Sequence, residues 1–303
     1  MSDAPNHRLL SMQDSRTILE VAGERANVAT AGATLIRDGT NVLYRLTGGV
    51  VARIGPPGSQ LVAERQIQAS HWLAEAGITV VRTVDNIEQP TAVGDRPVTW
   101  WVELPEHRHA TPAELGSTLR QLHNLAVPEE LPLPTVDPLD SLGASIDGGF
   151  VLPDEERAWL RGLVEQLSLD YRELAPSVPL TVIHGDAWQG NVVVPMGGGG
   201  PVLLDLDQLG VGPREWDLVS LAVEYTDFAR ITEADYHAFV AAYGGYDMTV
   251  WPGYRTFAAI RELRWTAFVL RKAGASSKAA EQARYRVSCL MGKIDRPWTW
   301  SAF

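Results

Sequence analysis

Four consecutive glycines, Gly197–Gly200, separate two short apolar runs, Asn191-Val-Val-Val194 and Pro201-Val-Leu-Leu-Asp205. β-Branched runs on either side of a glycine turn predict an antiparallel hairpin. Asn191 and Asp205 are equidistant from position 198. The expected register therefore sets them opposite each other, with Cα atoms about 5 Å apart. A side-chain carbonyl and a carboxylate would then face one point. Such an oxygen pair suits Mg2+, which keeps waters and takes further ligands from substrate phosphates. Just upstream, in His184-Gly-Asp-Ala-Trp-Gln-Gly-Asn191, Asp186 stands on the loop that follows the expected strand Leu180-Thr-Val-Ile183. A carboxylate there can orient an attacking hydroxyl and take its proton. Phosphoryl transfer needs little more, because its catalysis is mainly positioning and charge stabilisation.

The rest of the chain divides into a part rich in strands and a part rich in helices. Ala33–Arg37, Asn41–Leu46 and Val50–Ile54 read as strands, broken by Asp38-Gly-Thr40 and Thr47-Gly-Gly49. Leu61–Ala76 reads as a helix closed by Gly77. Val80-Val81 and Val98–Val102 are further strands. After Pro105 the period changes. Leu115, Leu119 and Leu122 form a helical stripe, and residues 126–153 are rich in Pro, Asp and Gly. Helices are expected over Asp154–Tyr171, Glu215–Phe228, Glu233–Tyr243, Tyr254–Lys272 and Ser277–Met291. Thr232 and Gly244 suit the two caps of the helix between them. The expected domains span residues 1–104 and 105–303.

Composition limits the partners. Net charge is −11, and no basic face for nucleic acid is visible. No apolar run reaches the roughly 18 residues of a membrane span, and the polar N-terminus shows no secretory signal. The single cysteine, Cys289, leaves no internal disulfide and no Cys-based zinc site. A cytoplasmic location is expected. The only lysines are Lys272, Lys278 and Lys293.

His-x-Asp-x4-Asn, a hairpin and then an Asp together resemble the protein-kinase-like fold, and the His184-Gly-Asp186 version resembles the aminoglycoside phosphotransferase and choline kinase-like family. Leu115-Gly-x-x-Leu-x-x-Leu-His123 and Trp216-Asp-Leu218 extend the resemblance, which covers roughly residues 30–270. It implies an α+β, two-lobed fold with a small antiparallel-sheet N-lobe and a mostly helical C-lobe. It implies a small-molecule kinase that uses ATP or GTP with Mg2+. By the same resemblance, Asp186 is the catalytic base, and Asn191 and Asp205 are the metal ligands. His184 braces the loop, and Asp217 hydrogen-bonds the loop backbone. A strand lysine paired with a helix glutamate holds the phosphates in that family. Here the matching positions carry Arg53 and Glu64, so an arginine fork takes the lysine's part with different reach. Gly39, Thr40 and Asn41 form the turn over the phosphates, and the backbone around Glu103 meets the nucleotide base. No Gly-x4-Gly-Lys-Ser/Thr loop is present, so a P-loop enzyme is not supported.

Residues 205–262 hold ten acidic and four basic residues. That imbalance favours a cationic acceptor, with Asp207, Glu215, Glu262 and Trp265 as expected lining residues. The acceptor is then an aminoglycoside, an amino sugar or an amino alcohol. The alternative is a metabolic kinase for a neutral sugar, homoserine or choline. A pseudokinase finds support only in the missing strand lysine. Eleven residues separate Asp205 from Asp217, too few for an activation segment, which argues against a protein kinase.

Overall fold

A computed structural model describes residues 12–149, 151–174 and 178–301, which form two compact units. The first takes the residues to His109 together with Glu129–Leu131 and Asn191–Asp207. The second takes Ala110–Pro128, Pro132–Gly190 and the chain from Gln208 onward. The glycine hairpin thus packs with the strand-rich part, although its place in the sequence groups it with the helices. Among the described residues no helix is long and apolar enough to cross a membrane.

The first unit opens with a helix that the sequence reading did not anticipate, α1 (Met12–Ala26). Its exposed faces are polar, which hid the stripe formed by Ser15, Leu19, Ala22 and Gly23. Leu19 and Ala22 pack on Tyr44, Ala52, Ile54 and Trp100. Burying a side chain such as Leu19 contributes about 1.5–3 kcal/mol. Three strands follow, β1 (Thr34–Asp38), β2 (Val42–Leu46) and β3 (Val50–Ile54). Helix α2 (Gln60–Glu75) comes next, then β4 (Thr91–Val93) and β5 (Arg96–Val102). The sheet order is β1-β2-β3-β5-β4, with every pair antiparallel. Ala52 and Ile54 point into the core and Arg53 to the other face, as the period of two along a strand requires. The expected strand at Val80 is a single parallel bridge to Leu203.

Strand β6 (His107–His109) ends this stretch of the first unit. The second unit begins with α3 (Pro112–His123), held at its start by a capping box between Thr111 and Glu114. Its Leu115, Leu119 and Leu122 are fully buried, as their spacing predicts. Helices α4 (Leu142–Asp147) and α5 (Asp154–Leu174) lead to β7 (Leu180–Ile183). The hairpin strands β8 (Val192–Pro195) and β9 (Val202–Leu203) join β6 in a three-stranded sheet of the first unit. Back in the second unit, β10 (Gly210–Pro213) pairs antiparallel with β7. The chain then runs through α6 (Glu215–Thr226), α7 (Glu233–Tyr243), α8 (Tyr254–Ala273) and α9 (Ser277–Leu290). Helices α3 and α7 meet at Gly116, where a Cβ would stand 2.6 Å from the Phe239 carbonyl oxygen. An antiparallel five-stranded sheet followed by a mostly helical part is the α+β arrangement the sequence implies.

Candidate active site

Arg53 on β3 lies in a cleft of the first unit that also receives Thr40, Asn41, Gly55, Ser59, Gln66 and Asp207. Its side chain is only 14% exposed, so the guanidinium needs a counter-charge within the protein. Both Asp207 carboxylate oxygens accept from Arg53 Nη2. Arg53 Nη1 donates to Gln66 Oε1 at 3.1 Å, and Gln66 Nε2 donates to Asp207 Oδ1 at 2.6 Å. Asn41 Nδ2 donates to the other Asp207 oxygen at 3.2 Å. The expected Arg53–Glu64 pair is therefore corrected. Glu64 accepts from Gln60 one helical turn away, and the helix residue that meets Arg53 is Gln66. Asp207 is likewise not free to line an acceptor site, because Arg53, Gln66 and Asn41 occupy its oxygens. Gly39 and Thr40 form the turn between β1 and β2. Glu103 donates its backbone N–H to Gly49 and pairs its carboxylate with Arg45.

The hairpin register differs from the sequence expectation by one residue. Val192 pairs with Leu203 and Val193 with Val202, and the Leu204 N–H donates to the Asn191 carbonyl at 2.9 Å. Asn191 consequently faces Leu204 and not Asp205. It also closes a single 3-10 turn, Gln189–Asn191, and does not belong to the strand. Asp205 lies just past β9 with φ +53, in the left-handed region that non-glycine residues seldom adopt. This kink leads into a second 3-10 turn, Leu206–Gln208, so Asp207 does not continue a strand face. Asp205 Oδ1 stands 3.8 Å from Arg53 Nη2. Among the described residues no group of three or more His, Cys, Asp or Glu side chains gathers as a metal cage. The Asn191 amide and the Asp205 carboxylate are hard oxygen donors. That donor set fits Mg2+, which takes one or two protein groups and fills its sphere with water and phosphate.

Asp186 sits in the second unit on the loop after β7, with its side chain 44% exposed. The loop is tied down immediately before it. The buried Asp217 carboxylate accepts from the His184 N–H at 2.7 Å and from the Gly185 N–H at 2.8 Å. It also accepts from His123 Nε2 at 3.0 Å, while His123 Nδ1 contacts the Tyr243 hydroxyl at 2.8 Å. Burial pushes the Asp217 carboxyl upward, but the hydrogen bond from His123 and the nearby histidines hold it below the usual range. The fully buried His184 ring accepts from the Asp186 N–H at 3.4 Å. Gly185 has φ +83, and a Cβ there would stand 2.4 Å from the Gln208 carbonyl oxygen. Only glycine lets the loop pass this close to Gln208.

Arg261, on α8, stands near Asp186, and Arg264 follows one turn on. Arg261 Nη1 is 3.8 Å from its carboxylate, and the Arg261 guanidinium lies over the Trp216 ring at 3.7 Å. Burial lowers the Arg261 pKa to about 10, and the Asp186 charge opposes that shift. Arg264 is lowered chiefly by burial, opposed first by Asp140 and then by Asp186, and its Nη1 donates to the Pro138 and Asp140 carbonyls at 3.2 and 3.1 Å. The signal for both was their i, i+3 spacing on an amphipathic helix.

The expected acceptor residues Glu215 and Glu262 are corrected by their burial. Glu215 is 2% exposed and accepts from the Tyr246 hydroxyl at 2.9 Å and from Arg214 Nε at 3.2 Å. Trp265 packs against Phe228, ring centroids 5.9 Å apart. Glu262 is also 2% exposed, beside Asp227, Arg255 and Arg296. Much of the acidity read as substrate lining is thus internal wiring.

Burial first, then the neighbouring Asp227, raises the Glu262 pKa to about 8. The native state therefore keeps a proton that the unfolded chain releases near pH 4.5. The resulting stability is complete below that pH and is lost as pH rises through about 8. Glu262→Gln retains a donor toward Asp227 at every pH. It should match the wild type at pH 5 and exceed it at pH 8 by about 1 kcal/mol or more. Thermal melts across this range measure the difference, and an unchanged pH slope would refute the assignment.

A model of the phosphotransferase enzyme family, APH, matches residues 33–260. No protein of curated function matches the sequence. The fold is similar to amicoumacin kinase hAmiN in complex with AMP-PNP, Ca2+ and Ami, with a TM-score of 0.70 and 14% identity over 96% of this chain and 99% of that one. It is similar to a choline/ethanolamine kinase family protein from Mesorhizobium loti, with a TM-score of 0.60 and 19% identity over 92% and 96%. It is also similar to aminoglycoside phosphotransferase APH(3'')-Id from Streptomyces rimosus in complex with ADP and streptomycin, with a TM-score of 0.59 and 19% identity over 82% and 98%. At these identities the likeness establishes a kinase-like fold.

Proposed function

The chain belongs to the phosphotransferase enzyme family, and we propose that it moves the γ-phosphoryl group of a nucleoside triphosphate onto a hydroxyl of a small molecule, with Asp186 as the general base. The observation that carries this reading is the loop itself. A half-exposed carboxylate follows directly on a backbone turn clamped by the buried Asp217, five residues ahead of Asn191. A base must hold one geometry to accept a proton from a bound hydroxyl, and the clamp supplies it. Arg53 is the cation for the phosphates, with the turn Gly39–Asn41 beside it. Asn191 and Asp205 are the residues that would hold Mg2+, which when bound neutralises charge on the β- and γ-phosphate oxygens. ATP is favoured as donor over GTP by the adenine nucleotides ADP and AMP-PNP in the similar structures.

An aminated alcohol is the first acceptor class, supported by the aminoglycoside and choline/ethanolamine enzymes among the similar folds. A neutral acceptor such as a sugar or homoserine is the second reading. It is favoured by Arg261, whose guanidinium already sets a positive charge 3.8 Å from the Asp186 carboxylate. The test is nucleoside diphosphate release from Mg-ATP and Mg-GTP across aminoglycosides, amino sugars, amino alcohols, neutral sugars and homoserine. Turnover is expected with one of these classes. A chain that binds neither triphosphate would overturn the phosphotransferase reading, and tight binding without any product would favour a pseudokinase.

A further inference from the structure

We propose that Asp207 and Gln66 are the positioning residues that aim the Arg53 guanidinium at the phosphates. The proposal rests on the reading of the Arg53 cleft as the triphosphate site. Three side chains form a closed ring: Arg53 donates to Gln66 and to Asp207, and Gln66 donates to Asp207. Gln66 is 5% exposed, and only one orientation of its amide satisfies both neighbours, with oxygen toward the cation and nitrogen toward the carboxylate. A glutamate at position 66 would set a second negative charge against Asp207 across a 2.6 Å contact. The neutral amide on α2 and the carboxylate at 207 therefore require each other.

The ring also accounts for arginine at position 53. Its two terminal nitrogens engage two different partners, and the fork still has N–H groups to spare for phosphate. A lysine offers one point of charge and cannot bridge Gln66 and Asp207 in the same way. Asp207 reaches Arg53 because the chain kinks at Asp205, with φ +53, into a single 3-10 turn. The alignment of the phosphate cation is thereby tied to the segment that carries the candidate metal ligand. Asp205 is the next carboxylate in line, 3.8 Å from the same nitrogen. If Asp207 loses its charge, Arg53 turns to Asp205, and the cation and the metal-ligand candidate neutralise each other.

The experiment measures the dissociation constants of Mg-ATP, Mg-GTP and the nucleosides adenosine and guanosine by titration calorimetry, for the wild type and four variants. Asp207→Asn and Gln66→Glu should each weaken triphosphate binding about tenfold while nucleoside binding is unchanged. The double variant Gln66→Glu/Asp207→Asn restores one carboxylate to the ring. It should return to within about threefold of the wild type. Asp207→Glu keeps the charge and should retain most of the affinity. A purely structural role would weaken nucleosides as well and would not be rescued by the double variant. Wild-type affinity in Asp207→Asn, or a double variant no better than the single ones, overturns the proposal. A wild type that binds nucleosides but gains nothing from the triphosphate overturns the cleft reading along with it.

Discussion

Asp186→Asn is expected to lower phosphoryl transfer about 10²- to 10⁴-fold, the usual worth of a positioned base, while triphosphate affinity stays at the wild-type value. The residues that line the Arg53 cleft all belong to the first compact unit. Asparagine is the variant of choice because of Arg261. That guanidinium is 4% exposed and draws on Asp186 for part of its counter-charge. An alanine would leave it beside an empty space, whereas asparagine keeps the volume and a dipole. The melting temperature of Asp186→Asn should therefore stay within about 4 °C of the wild type, which separates lost chemistry from lost fold. Turnover retained at the wild-type rate would remove Asp186 from the role of base.

Much of the first unit was legible because its signals are local. Val50–Ile54 has three β-branched residues, lies between glycine-containing turns and forms β3 with the expected bounds. Glu233–Tyr243 also forms as expected, with Thr232 and Gly244 at its caps. What escaped the sequence depends on tertiary geometry. The hairpin register is off by one because a run of identical glycines has no intrinsic centre, and the left-handed kink at Asp205 has no glycine to announce it. Arg53 meets Gln66 and not Glu64 because the rotation of α2 against the sheet decides which side chain points to β3. A period of 3.6 alone leaves both open. Glu262 falls on the same stripe as the buried Ala258 and Thr266, a spacing of four that marked it as internal, yet its charge suggested the surface. The regional acidity was real, but its direction was inward.

Asp217→Ala should be the most destabilising single change at the site, costing about 3–5 kcal/mol. Its carboxylate is the shared acceptor of the His184 N–H, the Gly185 N–H and His123 Nε2, all buried. Removing it strands those donors without water, at about 1–3 kcal/mol each. Asparagine is a poor substitute, because its single carbonyl serves one backbone donor while its NH2 faces the other. The pH dependence provides the second readout. The Asp217 carboxyl is held below its ordinary 3.8 in the folded chain. Its contribution is therefore present above that value and is lost as pH falls through the lower folded-state value. Asp217→Asn should flatten this acid limb while leaving the shape of the curve near neutrality unaltered. Catalysis should suffer in both variants even at temperatures where they remain folded, because Asp186 follows directly on the two residues that Asp217 holds. Chemical denaturation and turnover, measured together from pH 3 to 8 on the same samples, decide the matter. If either variant keeps full turnover and an unchanged acid limb, the carboxylate does not set the loop.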